Sequence, residues 1–148
     1  MEKKNIDWGN LGFGYVKTDY RYVSNYKDGK WDEGGLTTDD MVTISECAGV
    51  LQYAQTVFEG MKAYTTEDGH IVTFRPDLNG ERMEHSAARL EMPVFPKDRF
   101  VDAVVQTIKA NAAYATARFS FRSAASPTST TTRSTAAAKA WTFLSERA

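Results

Sequence analysis

Gly60-Met61-Lys62-Ala63-Tyr64-Thr65-Thr66-Glu67-Asp68-Gly69-His70-Ile71-Val72-Thr73-Phe74-Arg75 reads as a β-hairpin. Two strand-like runs, 62–65 and 71–74, flank an Asp-Gly pair, and glycine takes the positive φ that a tight turn demands. Two more Asx-Gly pairs, Asp28-Gly29 and Asn79-Gly80, punctuate the chain on either side. The earlier one follows residues 20–26, where Tyr20, Tyr22 and, past Ser24, Tyr26 recur with a period of two. That pattern marks a strand with one buried face. Trp31 lies just beyond the turn. After the central hairpin the period changes. Asn79 is placed to cap a helix over 80–90, with Met83, Ala87 and Leu90 on one face. Asp98 is placed to cap a second helix. Along it Phe100, Val104, Ile108 and Ala112 recur every four residues, and Val101 and Val105 widen the apolar stripe. Pro93 and Pro96 separate the two. The expected fold is α+β, a small two-layer domain of antiparallel hairpins with helices on one side.

Composition narrows the function. The chain has 148 residues, 42% hydrophobic and 25% charged, with a net charge of −1. Those values fit one soluble globular domain, with or without a tail. No apolar run approaches the ~18 residues of a membrane span. The charged start has no apolar run behind it, so neither a membrane protein nor a secretory leader is expected, and the expected compartment is the cytoplasm. One cysteine, Cys47, excludes an internal disulfide framework and a cysteine-rich zinc site. His70 and His85 lack metal-ligand spacing, and no metal is expected. The near-zero charge argues against a dedicated nucleic-acid binder.

The average conceals a division near Tyr114. Residues 1–114 carry a net charge of −5, whereas 115–148 carry +4. In the latter, 22 of 34 residues are Ala, Ser or Thr. Such a segment buries too little apolar surface to offset its chain entropy, so an irregular, low-complexity tail is expected. Alanine content allows a short helix at 134–144. A disordered +4 tail would give only weak, salt-sensitive attraction to nucleic acid.

No phosphate-binding glycine loop, dinucleotide fingerprint or nucleophile elbow is present. Asp39-Asp40 is a carboxylate pair, but adjacent side chains of an extended segment diverge, so it reads as a solvated turn. Arg82 is the charge of most interest. In the first turn of a helix capped by Asn79 it would stand beside unpaired N–H groups and the positive end of the dipole. A guanidinium there suits a phosphate. A solvated helix arginine is the plainer reading.

The segment 57–64, Val-Phe-Glu-Gly-Met-Lys-Ala-Tyr, resembles the signature of branched-chain aminotransferases, pyridoxal 5′-phosphate enzymes of the class IV, fold type IV group. So do Phe74-Arg75-Pro76-Asp77-Leu78-Asn79, Glu81-Arg82-Met83 and Ser86-Ala87-Ala88-Arg89-Leu90, and upstream Phe13-Gly14 with Thr18-Asp19-Tyr20. The motifs run in order over roughly residues 7–114. The resemblance implies the N-terminal small domain of that family at 1–114. It implies amino transfer between leucine, isoleucine or valine and 2-oxoglutarate, in a homodimer, with no membrane or nucleic acid involved. The pyridine ring acts as electron sink and a lysine moves the proton.

By the same resemblance Arg82 is the cofactor-phosphate contact, and Phe13, Tyr53 and Phe58 line the substrate side-chain pocket. An apolar pocket suits leucine-like side chains, at about 0.8 kcal/mol per buried methylene. The Tyr53 position reaches toward a neighbouring subunit in the family. Arg75, Lys62 and Glu59 are given structural roles. Gly80 stands where a better helix former is usual, at a cost of at most ~1 kcal/mol. The family's lysine, and its ring-binding tyrosine and carboxylate, belong to a larger second domain that the resemblance does not reach. Lys139 is rejected as a substitute: it follows Arg82 too closely and lacks the family's Gly-Gly-Asn sequel.

Residues 115–148 are read as disordered or as a shifted reading frame. Ala115-Thr116-Ala117-Arg118-Phe119 can be encoded so that the next frame spells Pro-Pro-Pro-Gly-Ser, which resembles the family's continuation. The expected activity is therefore that of the family in a chain that is catalytically incomplete alone. The alternative is a non-catalytic fragment or interaction module that associates with a full-length partner.

Overall fold

A computed structural model of the chain describes residues 4, 17–115, 119–126 and 141–145. Strand β1 (Arg21–Lys27) pairs antiparallel with β2 (Lys30–Trp31) across Asp28 and Gly29, both at positive φ, and with β3 (Gly35–Thr37). Positive φ at both central residues is the geometry whose twist matches the flanking strands. The alternation in β1 works as expected: Tyr22 and Ser24 are buried and Tyr26 stacks edge-on against Trp31. A five-residue helix, α1 (Gly49–Tyr53), precedes β4 (Val57–Thr65), which pairs antiparallel with β5 (Ile71–Thr73) through Ala63–Thr73, Tyr64–Val72 and Thr65–Ile71. This is the hairpin expected at 60–75. Its tight turn is closed by Gly69, whose N–H donates to the Thr66 carbonyl.

Helices α2 (Pro76–Arg89) and α3 (Lys97–Ala110) pack on one face of the sheet. Val57, Met61, Ala63 and Tyr22 from the strands meet Met83 and Ala87 from α2 and Phe100, Ala103 and Val104 from α3. Met92 and Phe95, in the link containing Pro93 and Pro96, complete this core. A 3-10 turn, Ala112–Tyr114, follows α3. The small α+β layer arrangement is as the sequence predicts.

Two helix starts differ from expectation. Helix α2 begins at Pro76, with Arg75 in the left-handed region before it, and not at Gly80. Proline lacks an N–H and presets φ, so it fits the first turn without loss. Asn79 is therefore inside the helix and caps nothing. In α3 the capping position is Pro96, not Asp98. There the Lys97 N–H donates to the Glu84 carboxylate at 2.6 Å, so α2 supplies the cap of α3.

Two segments of the compositionally biased tail lie in the sheet. Strand β6 (Phe119–Ser126) pairs antiparallel with β4, and β7 (Trp141–Ser145) runs parallel to both β6 and β1. The strand order is β2-β1-β7-β6-β4-β5, with β3 also on β1. Residues 141–144 are strand, so the helix expected there does not extend over them. The rest of that stretch, with Lys139 and the serine- and threonine-rich run at 127–132, lies outside the described residues.

One buried side chain ties α3 to β1. Asn111 donates through Nδ2 to the carbonyls of Tyr20 (2.9 Å) and Thr107 (3.0 Å) and accepts the Tyr20 N–H through Oδ1 (3.1 Å). It thus satisfies both backbone groups of Tyr20 as a neighbouring strand would. Asn111→Ala orphans the Tyr20 N–H, while the Tyr20 carbonyl keeps the Thr18 hydroxyl and the Thr107 carbonyl keeps the Asn111 N–H, and should destabilise the fold by about 1–2 kcal/mol in urea unfolding. Asn111→Asp sets a buried carboxylate oxygen against the carbonyls of Tyr20 and Thr107 and should cost at least as much.

Asp32 supports the first hairpin. Burial acts against its charge. Hydrogen bonds from the Asn25 side chain and N–H, the Ser24 hydroxyl and the Gly34 N–H outweigh that and hold its pKa below the ordinary 3.8. A carboxylate lowered on folding contributes stability in full above its unfolded value. That contribution is lost as pH falls from there through the lower folded value. Asp32→Asn should therefore lower the urea midpoint near neutrality, and the gap from the unaltered chain should narrow between about pH 5 and about pH 2.

Candidate functional site

Strand β4 alternates strictly: Val57, Glu59, Met61 and Ala63 face the core, and Phe58, Gly60, Lys62 and Tyr64 face away. Glu59 is the one charged member of the inward row, only 8% exposed. A carboxylate there requires partners, since an unpaired buried charge is costly. Helix α2 provides them. Arg82 donates to Glu59 through Nε (3.0 Å) and Nη2 (2.7 Å), and the Asn79 amide donates to Glu59 Oε2 (2.8 Å) and the Gly60 carbonyl (3.0 Å). Asn79 and Arg82, three residues apart, share a helix face and meet one acceptor together.

The Arg82 side chain is 59% exposed although its partner is buried. Hydrogen bonding and charge from Glu59 raise its pKa above an already high value, so it is a cation at every relevant pH. Glu59 takes two of the five N–H donors of a guanidinium, and among the described residues Nη1 has no partner. A planar cation fixed on one edge and accessible on another is chemically suited to a phosphate group.

Arg82 is the seventh residue of α2. It stands in the second turn, where the backbone N–H groups are already bonded, so the helix-terminus reason for an anion site does not apply to it. The end of α2 is itself occupied: Asp77, in the first turn, accepts from the Arg75 guanidinium at 2.7–3.1 Å. What the structure provides at Arg82 is a guanidinium oriented by Glu59.

Tyr53 ends α1 and is 86% exposed, ahead of Ala54 in the left-handed region. Phe58 is 57% exposed on the outward face of β4. It projects to the side opposite Glu59, so it and the Glu59–Arg82 pair start from different faces of the strand. Phe13 lies outside the described residues. Asp39 and Asp40 do not act as a pair: Asp40 forms an ion pair with Lys17, and the Asp39 side chain accepts the Met41 N–H. No group of three metal-ligating side chains occurs among the described residues, and no helix there is long and apolar enough to cross a membrane.

Sequence reasoning passed over Glu59 and Asn79 as site components. The signal lay in the inward row of β4, where a carboxylate interrupts Val57, Met61 and Ala63.

No family model matches the chain. It is 54% identical over 108 residues to the branched-chain-amino-acid aminotransferase of Haemophilus influenzae, a match covering 73% of this chain and 32% of that protein. The corresponding enzyme of Helicobacter pylori is 44% identical over 108 residues, with the same shares. Over these 108 residues the chain is similar to branched-chain aminotransferases.

The chain spans about a third of the length of these curated relatives. A methionine aminotransferase of Arabidopsis thaliana is 45% identical over 108 residues, covering 72% of this chain and 30% of that one. Among solved structures, the branched-chain aminotransferase of Thermoproteus uzoniensis shares the fold at a TM-score of 0.52 and 24% identity, over 68% of this chain and 32% of that one.

Glu59 and Arg82 should respond unequally to substitution. Arg82→Ala leaves a buried carboxylate with only Asn79 and should destabilise the chain by about 3 kcal/mol in urea unfolding. Glu59→Gln leaves a guanidinium that water can reach and should cost under about 1 kcal/mol.

Proposed function

We propose that this chain carries the phosphate-binding and side-chain-binding part of a branched-chain aminotransferase, which moves an amino group between leucine, isoleucine or valine and 2-oxoglutarate. The observation that carries this reading is the 54% identity over 108 residues. The geometry adds a cation oriented for an anion. In this reading Arg82 contacts the phosphate of pyridoxal 5′-phosphate, and Phe13, Tyr53 and Phe58 form the apolar wall for the substrate side chain. Bound there, the pyridoxal group supplies the electron sink that amino transfer needs.

The exposure of Tyr53 and Phe58 fits residues that finish their packing against another surface, in a homodimer or against the remaining two thirds of such an enzyme. Leucine and methionine are close in volume. The similarity to a methionine aminotransferase thus fits a wall of this apolar kind.

The proposal includes a division of the chain at Tyr114. The match covers 73% of the chain, and residues 115–148 hold its Ala/Ser/Thr-rich remainder. The proton-moving lysine is not among these 148 residues, and the compartment is the cytoplasm.

Purified chain supplied with pyridoxal phosphate, leucine and 2-oxoglutarate should form no glutamate above the cofactor-alone background. Co-expression with a separate polypeptide equal to the uncovered two thirds of the Haemophilus relative should restore glutamate formation. Borohydride reduction with peptide mapping should label no single lysine of the chain. Turnover by the chain alone, or selective labelling of Lys139, would overturn its assignment as an incomplete site. Failure of complementation with a properly folded partner would overturn the family activity.

A further inference from the structure

We propose that Glu59, braced by Asn79, is a positioning residue that holds the Arg82 guanidinium by its Nε edge and leaves the Nη1 side to a phosphate. The inference rests on the reading of Arg82 as a phosphate contact. Its own ground is the geometry of the pair. Arginine carries large side-chain rotamer entropy, and a ligand that has to order it loses affinity. Here the ordering is done within the protein. Glu59 is buried on a strand and cannot follow the guanidinium outward. The two parallel bonds from Nε and Nη2 fix the plane of the cation as well as its place.

Asn79 keeps the carboxylate from rotating. Its amide bridges Glu59 Oε2 and the carbonyl of the next residue on the strand, Gly60. The arrangement passes from backbone to carboxylate to guanidinium, each member fixed by the one before. The guanidinium is 59% exposed, and among the described residues its Nη1 has no partner, so that side is open to an anion.

The carboxylate also partly neutralises the cation, so the pair has two opposing effects on an anion. Preorganisation favours binding, and the extra negative charge opposes it. Asn79 separates them, because Asn79→Ala loosens the carboxylate without altering any charge.

The test uses pyridoxine 5′-phosphate, which lacks the aldehyde and so does not react with lysines, against unphosphorylated pyridoxine. Titration calorimetry on the full chain reads the affinity ratio of the two, and urea unfolding of each variant confirms that it is folded. Arg82→Gln, which retains a donor to Glu59, should abolish the preference for the phosphorylated compound. Glu59→Gln and Asn79→Ala should each reduce that preference about tenfold, the worth of one charge-assisted hydrogen bond, while the affinity for pyridoxine stays unchanged.

A preference lost in Arg82→Gln but retained in Glu59→Gln and Asn79→Ala would overturn the positioning role and leave the phosphate contact standing. A stronger preference in Glu59→Gln would make the carboxylate a rival anion and likewise overturn it. No preference in the unaltered chain, or one that survives Arg82→Gln, would overturn the phosphate contact and the positioning role with it.

Discussion

A carboxylate on the inward face of a strand is the constraint around which this fold is arranged. Removing Glu59 from water costs several kcal/mol unless its oxygens are satisfied. Among the described residues α2 brings the necessary donors, and it does so with two side chains one turn apart. That requirement fixes both the height and the rotation of α2 on β4. With Asn79 and Arg82 directed to Glu59, Met83 and Ala87 fall into the core. Gly80 then faces α3, where a β-carbon would lie 3.0 Å from Lys97 Cγ and 3.2 Å from Phe100 Cδ1. The glycine that is a poor helix former is thus the residue that lets the second helix approach, and Glu84 on the same helix caps it.

Hairpins were legible because their signals are local. Asp28-Gly29 and Asp68-Gly69 declare their turns through backbone chemistry, and the alternation in β1 and β4 declares which side is buried. The start of α2 was not read correctly, because a tertiary contact took the residue that would have marked it. Asparagine caps a helix by accepting from the backbone, whereas here its amide donates to a strand some twenty residues earlier. The competing local signal, Pro76 after Arg75, was present in the sequence and was decisive in the structure. Likewise Pro96 and the reach of Glu84 displaced Asp98 from the start of α3.

The site was legible in a different manner. Arg82 was named from two directions, a resemblance and a helix-end dipole, and only the dipole is removed by the structure. What replaces it is a pair whose members are separated by a strand, a turn and half a helix, and no periodicity could have joined them. Tyr53 and Phe58 show the complementary limit. Their apolar character is plain in the sequence, but their exposure depends on the edges and faces that the fold leaves uncovered.

The strand order has a kinetic meaning. Without β6 and β7 the sheet is two separate ladders, β1 with β2 and β3, and β4 with β5. Each ladder closes through a turn of a few residues, and α2 and α3 follow β5 directly, so most of the core assembles from near neighbours. The pairings that join the two ladders link Tyr22 to Trp141 and Val57 to Ala125, residues far apart in the sequence. Loops of that length must be closed before any bond is gained, which makes these the slow contacts of the molecule. Until they form, β1 and β4 each present an open edge, and in that interval the chain is most exposed to pairing with another copy of itself.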